Sequence, residues 1–63
     1  MPIITAHILE GRSSEQKREL IRGITDAVVR TLEVPPESVR VIVTEMPKDS
    51  YGIAGSTALE LGR

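Results

Sequence analysis

Ser13-Ser14-Glu15-Gln16-Lys17-Arg18-Glu19-Leu20-Ile21-Arg22-Gly23-Ile24-Thr25-Asp26-Ala27-Val28-Val29-Arg30-Thr31-Leu32 reads as one amphipathic helix set between two β-branched runs. Ser13 followed three residues later by Gln16 has the form of a capping box. Leu20, Ile21, Ile24, Ala27, Val28, Thr31 and Leu32 then recur at helical spacing. Lys17, Arg18, Glu19, Arg22, Asp26, Arg30 and Glu33 occupy the other side and read as a solvated face. Val34-Pro35-Pro36 ends the helix, because proline disfavours helical geometry in the residue before it. Upstream, Ile3-Ile4-Thr5-Ala6-His7-Ile8-Leu9 is a strand stopped by Glu10-Gly11, and its near-continuous apolarity predicts burial on both faces. Downstream, Val39 to Met46 (VRVIVTEM) is a second strand. Two strands joined through a helix of this length form a parallel, right-handed β-α-β unit.

Beyond Pro47-Lys48-Asp49, the segment Ser50-Tyr51-Gly52-Ile53-Ala54-Gly55 is too glycine-rich for a regular core element and reads as a tight turn or short hairpin. Thr57-Ala58-Leu59-Glu60-Leu61 is apolar at alternate positions and is expected to extend a neighbouring copy's sheet. The expected fold is α+β: one domain over residues 1–63, with a parallel two-stranded core and a short C-terminal hairpin.

Sixty-three residues bury only about 60% of the surface that the unfolded chain exposes. Ordering costs roughly 95 kcal/mol, against roughly 90 kcal/mol from ~3,600 Å² of buried apolar area. With no cysteine and one histidine the chain has neither a disulfide nor a zinc cage to close that gap, so a homo-oligomer is expected. Eight basic against nine acidic residues give a net charge of −1 and no basic field for phosphates, and Tyr51 is the only aromatic residue. Nucleic acid is therefore a poor partner. No run is long enough for a membrane span and the start does not read as a signal peptide, so a cytoplasmic protein is expected.

Three residues stand out chemically. Pro2 follows the initiator methionine, and removal of Met1 would leave a secondary amine that is both basic and nucleophilic. Arg12 stands in the loop after the first strand, beside a helix N-terminus that favours anions; it reads either as an anion contact or as a solvated loop residue. Arg40 interrupts an apolar strand, where arginine needs a carboxylate, a ligand or an interface, or else snorkels from an edge. Pro2 and Arg12 lie at opposite ends of the first strand, about 25 Å apart at ~3.3 Å per residue. If both serve one pocket they come from different subunits, whereas Arg40 lies near the Pro2 end of its own chain.

With these residues in view, the chain resembles the 4-oxalocrotonate tautomerases over essentially its whole length. The resemblance is carried by Met1-Pro2-Ile3, His7-Ile8-Leu9-Glu10-Gly11-Arg12-Ser13, Glu15-Gln16-Lys17, Ser38 to Met46 (SVRVIVTEM) and Tyr51-Gly52-Ile53-Ala54-Gly55. It implies a hexamer, a trimer of dimers, performing cofactor-free keto–enol tautomerisation of small unsaturated 2-hydroxy or 2-oxo dicarboxylates such as 2-hydroxymuconate, in aromatic catabolism. By position, Pro2 would be the general base, and Arg40 would bind the 2-hydroxy or 2-oxo and carboxylate end. Arg12 would hold the distal carboxylate, Leu9, Tyr51 and Ile53 would line an apolar wall, and Ser38 would bind substrate beside Arg40. An apolar wall and two cations both disfavour a protonated amine, which suits a base.

Tyr51 departs from the family, which usually has phenylalanine there, and adds a polar tip at the pocket mouth. The glutamate that activates water in the related chloroacrylate dehalogenases has no counterpart in Tyr51-Gly52-Ile53, so hydratase- or dehalogenase-like chemistry is the weaker alternative. Retention of Met1 would turn the Pro2 nitrogen into an amide. The assembly would then be a catalytically silent binder of small organic anions between Arg12 and Arg40. His7, midway along the first strand, is expected to be structural, and Glu45 and Asp49 to be solvated or paired within the oligomer.

Overall fold

The computed structural model describes all residues from Met1 to Arg63. Strand β1 (Ile3–Leu9), helix α1 (Ser14–Leu32) and strand β2 (Arg40–Met46) form the β-α-β unit, and β3 (Gly52–Ile53) with β4 (Ser56–Thr57) forms a small hairpin. β1 and β2 pair in parallel from Ile3 opposite Arg40 to Leu9 opposite Met46. The capping box is complete: the Ser13 hydroxyl accepts from the Gln16 N–H at 3.1 Å, and the Gln16 side chain accepts from the Ser13 N–H at 3.0 Å. At the other end Glu33 takes the left-handed conformation, φ 55°, and donates its N–H to the Val29 carbonyl. Short 3₁₀ turns, Pro36–Ser38 and Lys48–Ser50, precede β2 and the hairpin respectively.

Side chains alternate across a strand, so the sheet has two distinct faces. Ile4, Ala6 and Ile8, beside Val41, Val43 and Glu45, share the half covered by α1, where Lys17 Nζ meets Glu45 Oε1 at 2.9 Å. Lys17 therefore belongs to the sheet-facing side of the helix rather than the solvated face, and Glu45 is paired within its own chain. Ile3, Thr5, His7 and Leu9, beside Arg40, Ile42, Thr44 and Met46, form the other face. The expectation of burial on both faces fails within a single chain: Ile3 is 59% and Ile42 52% exposed. One helix covers one face of two strands, and nothing in the chain reaches the second.

The hairpin turn is Ala54-Gly55, with positive φ at both residues, 52° and 88°, the geometry whose twist matches that of the flanking strands. The anticipated strand over Thr57–Leu61 is not formed. The chain turns after β4, with the Leu61 N–H on the Thr57 carbonyl at 3.1 Å and the Gly62 N–H on the Leu59 carbonyl at 3.2 Å. The reason is local: Glu60 Oε1 accepts from the Thr57 N–H at 3.0 Å and the Glu60 N–H reaches the Thr57 hydroxyl at 3.1 Å. This reciprocal pair closes a turn where alternation alone implied extension. The backbone bond from Thr57, and then the bond with its side chain, hold the Glu60 carboxyl below its ordinary value.

Ala58 is the one fully buried residue. The accessible surface is 4657 Å² for 6.9 kDa, against roughly 4,000 Å² for a compact monomer of that mass. The radius of gyration is 14.5 Å, against about 11 Å. A chain with so little interior has its missing core between copies. Thermal unfolding is accordingly expected to move to lower temperature on dilution, as for any assembly whose folded subunit is stabilised by its partners. Calorimetry over a hundredfold concentration range checks this, and a midpoint that ignores concentration would show that the lone chain folds unaided.

Candidate active site

The residues singled out from the sequence fall into two groups at opposite ends of the sheet. At one end, Pro2 is half-buried and its carbonyl accepts the Arg40 N–H at 3.0 Å. This bond opens the ladder that continues with Ile3 opposite Arg40. Pairing thus anchors the residue bearing the prospective base directly to the residue bearing a cation. Ser38 stands two positions earlier, where its hydroxyl donates to the Pro35 carbonyl at 2.8 Å. The Arg40 side chain turns back to the Glu37 carbonyl. Within the chain its partner is thus a backbone carbonyl and no carboxylate.

At the other end, β1 finishes with half-buried Leu9, and Gly11 at φ 116° turns the chain toward the helix. Arg12 follows, exposed and free of any hydrogen bond or ion pair within its chain. The hairpin leaves from this same end, and Glu10 fixes the turn that leads to it: its N–H reaches the Met46 carbonyl at 3.0 Å, and its Oε2 accepts the Lys48 N–H at 3.0 Å. Tyr51 is held at the base of the hairpin by its carbonyl, which accepts the Ala58 N–H at 2.8 Å, and Ile53 lies half-buried in β3. Glu10 was not singled out from the sequence. A glutamate before glycine carries no signal that it ties down a turn about forty residues later in the chain.

Seven residues of β1 separate the two groups, roughly 23 Å at ~3.3 Å per residue. No arginine side chain spans that distance, and the isolated chain has no cleft. His7 lies between the groups on the uncovered face, exposed and with no hydrogen bond from its side chain. Within one chain the candidate residues therefore form two separate groups, Pro2–Ser38–Arg40 and Leu9–Arg12–Tyr51–Ile53. No helix is long and apolar enough to cross a membrane.

Comparison with known proteins gives the chain a family. Residues 2–58 match the family described as "Tautomerase enzyme". A 2-hydroxymuconate tautomerase of Stutzerimonas stutzeri is 57% identical over 63 residues, all of both chains. Among solved structures, a 4-oxalocrotonate tautomerase isozyme from Methylibium petroleiphilum superposes with a TM-score of 0.93 at 46% identity, covering 97% of this chain and 95% of that one. A heterohexamer 4-oxalocrotonate tautomerase from Chloroflexus aurantiacus J-10-fl superposes at 0.92 with 38% identity, covering 97% and 98%. Fold, identity and near-complete coverage agree, and the chain belongs to the tautomerase family of isomerases.

Proposed function

We propose that this protein is a cofactor-independent tautomerase of 2-hydroxymuconate or a close unsaturated 2-hydroxy dicarboxylate, with Pro2, freed by removal of Met1, as general base. The observation that carries the reading is the division of the site: Pro2 and Arg40 are bonded together at one end of the sheet, and the unpartnered Arg12 stands at the other. A second copy running antiparallel brings one chain's Pro2 end to another's Arg12 end. The uncovered sheet face supplies the apolar area for such assembly, and a hexamer made as a trimer of dimers satisfies both demands. The setting is the cytoplasm, where a small dicarboxylate reaches the assembly freely.

The chemistry follows from the residue types. The Pro2 nitrogen takes the proton of the 2-hydroxyl, the electron pair moves through the conjugated chain, and the same nitrogen returns the proton to a distal carbon. Atoms and charge balance without a further reactant. Arg40 binds the 2-hydroxy or 2-oxo end with its adjacent carboxylate, and Arg12 binds the distal carboxylate. Together they stabilise the negative charge that spreads over the dienolate. Leu9, Tyr51 and Ile53 make the wall against which the carbon chain lies. Low local polarity strengthens both ion pairs and favours the neutral amine over its protonated form.

The direct test is ketonisation of 2-hydroxymuconate, followed by absorbance, on protein whose mass shows that it begins at Pro2. Turnover is expected. Tight binding of a dicarboxylate by such protein, with no turnover, would instead establish a silent anion-binding assembly.

A further inference from the structure

The passage from the first 3₁₀ turn into β2 leaves one carbonyl without its regular partner. In a continued 3₁₀ turn the Glu37 carbonyl would accept from the backbone N–H of Arg40, three residues on. That N–H is already donated to the Pro2 carbonyl at 3.0 Å, because β2 begins there. The orphaned Glu37 oxygen accepts from Arg40 Nη1 instead. Arg40 thus satisfies with its side chain the acceptor that its own backbone has abandoned.

The two preceding carbonyls of the turn are also engaged. The Pro36 carbonyl accepts the Val39 N–H at 3.1 Å, and the Pro35 carbonyl accepts both the Ser38 N–H at 3.0 Å and the Ser38 hydroxyl at 2.8 Å. Proline rings fix φ at Pro35 and Pro36, so the Ser38 side chain adds a second bond to an already stiff turn. The Ser38 hydroxyl proton is committed to Pro35 and is not free to be donated to a substrate oxygen at the same time. The guanidinium, held by a single Nη1 bond, keeps its remaining N–H donors for a carboxylate.

We infer that the turn Pro35–Ser38 is a holder for the Arg40 guanidinium, and that Ser38 serves the reaction as a positioning residue through Arg40 without touching substrate. The inference rests on the proposed role of Arg40 as a substrate ligand. A long, rotamer-rich side chain fixed before substrate arrives loses less freedom on binding, so the holder's effect belongs in substrate affinity more than in the proton transfer.

A double-mutant cycle tests it. Protein beginning at Pro2 is compared as wild type, Ser38→Ala, Ser38→Thr, Arg40→Ala and Ser38→Ala with Arg40→Ala. Ser38→Ala is expected to raise KM about fivefold with kcat within about twofold, the scale of one neutral hydrogen bond acting on binding. Ser38→Thr, which keeps the hydroxyl, restores KM. In the Arg40→Ala background, Ser38→Ala has no further effect. An equal KM rise in that background would show that Ser38 meets substrate directly and would overturn the inference, as would a Ser38→Ala protein with unchanged KM. A second readout needs no turnover: the Arg40 Nε–H resonance in a ¹⁵N spectrum is shifted from that of free arginine in wild type and returns toward it in Ser38→Ala. If wild type fails to turn over 2-hydroxymuconate, the functional proposal falls and this resonance still judges the holder. An Arg40 signal insensitive to Ser38→Ala refutes the holder even in an active enzyme.

Discussion

Protein that keeps Met1 is expected to turn over 2-hydroxymuconate about 10²- to 10⁴-fold more slowly than protein that begins at Pro2, the range over which a general base contributes. The cause is electronic. While Met1 is attached, the Pro2 nitrogen belongs to an amide whose lone pair is delocalised into the carbonyl, and it neither takes nor returns a proton. Removal of one residue converts it to a secondary amine whose ring fixes the direction of the lone pair. Pro2→Ala, also processed, leaves a primary amine that rotates about its N–Cα bond, and its loss lies toward the lower end of that range. The Pro2 carbonyl, which accepts the Arg40 N–H at 3.0 Å, survives both changes. Strand pairing and assembly therefore persist. Intact mass, steady-state kinetics and light scattering on the three preparations check the three parts of this expectation. Equal rates with and without Met1 would remove Pro2 from the chemistry altogether.

Mixed assemblies of two inactive chains are expected to regain activity. Arg12→Ala and Pro2→Ala each break a different half-site, and each homogeneous assembly is expected to lose at least a hundredfold in kcat/KM, since one lacks the charge partner of the distal carboxylate and the other the proper base. If a site takes its Pro2 from one copy and its Arg12 from another, random co-assembly of equal amounts leaves about one quarter of the sites intact. The two variants, unfolded together and refolded, should then recover about that fraction of wild-type turnover, while the same variants mixed after folding recover it only as fast as subunits exchange. The number follows from the geometry: seven residues of β1 stand between the two groups, and no conformation of one chain closes that distance. A mixture as inactive as its components would mean that both groups act within one chain or that Arg12 has no part in the reaction.

The dilution experiment and the Ser38 cycle probe the same architecture from other sides. A single chain with Ala58 as its one buried residue has little reason to fold alone. A site whose halves sit on different copies has no existence before assembly. Stability and activity are therefore expected to fall together on dilution.

Much of this was legible in the chain. The β1 span, the capping box of Ser13 and Gln16, the stop at Val34-Pro35-Pro36 and the parallel pairing all follow from residue type and period, because they depend on backbone preferences within a few positions. The prospective site residues Pro2, Arg12 and Arg40 were visible for a different reason: each carries a chemical group that its position can use, and the resemblance to the family joined them into one site. What failed were inferences that need to know what lies across from a residue. Near-continuous apolarity in Ile3–Leu9 implied two covered faces, yet within the chain one face is bare, because sequence does not say whether the cover comes from the same molecule. Lys17 looked like a solvent-facing charge and Glu45 like one solvated or paired within the oligomer, yet they form a 2.9 Å ion pair within the chain, since a separation of 28 positions hides the register that brings them together. Alternation over Thr57–Leu61 implied a strand, and the Thr57–Glu60 pair closes a turn there instead.

Local preference and chemical oddity, both written in residue type, determined the elements and their order and singled out the candidate reactive groups. Only the tertiary structure decided that the Pro2 carbonyl accepts the Arg40 N–H and that the Glu37 carbonyl holds the guanidinium. Those facts depend on which backbone groups remain unpaired once the strands have met, and pairing is settled by register in space, not by position along the chain.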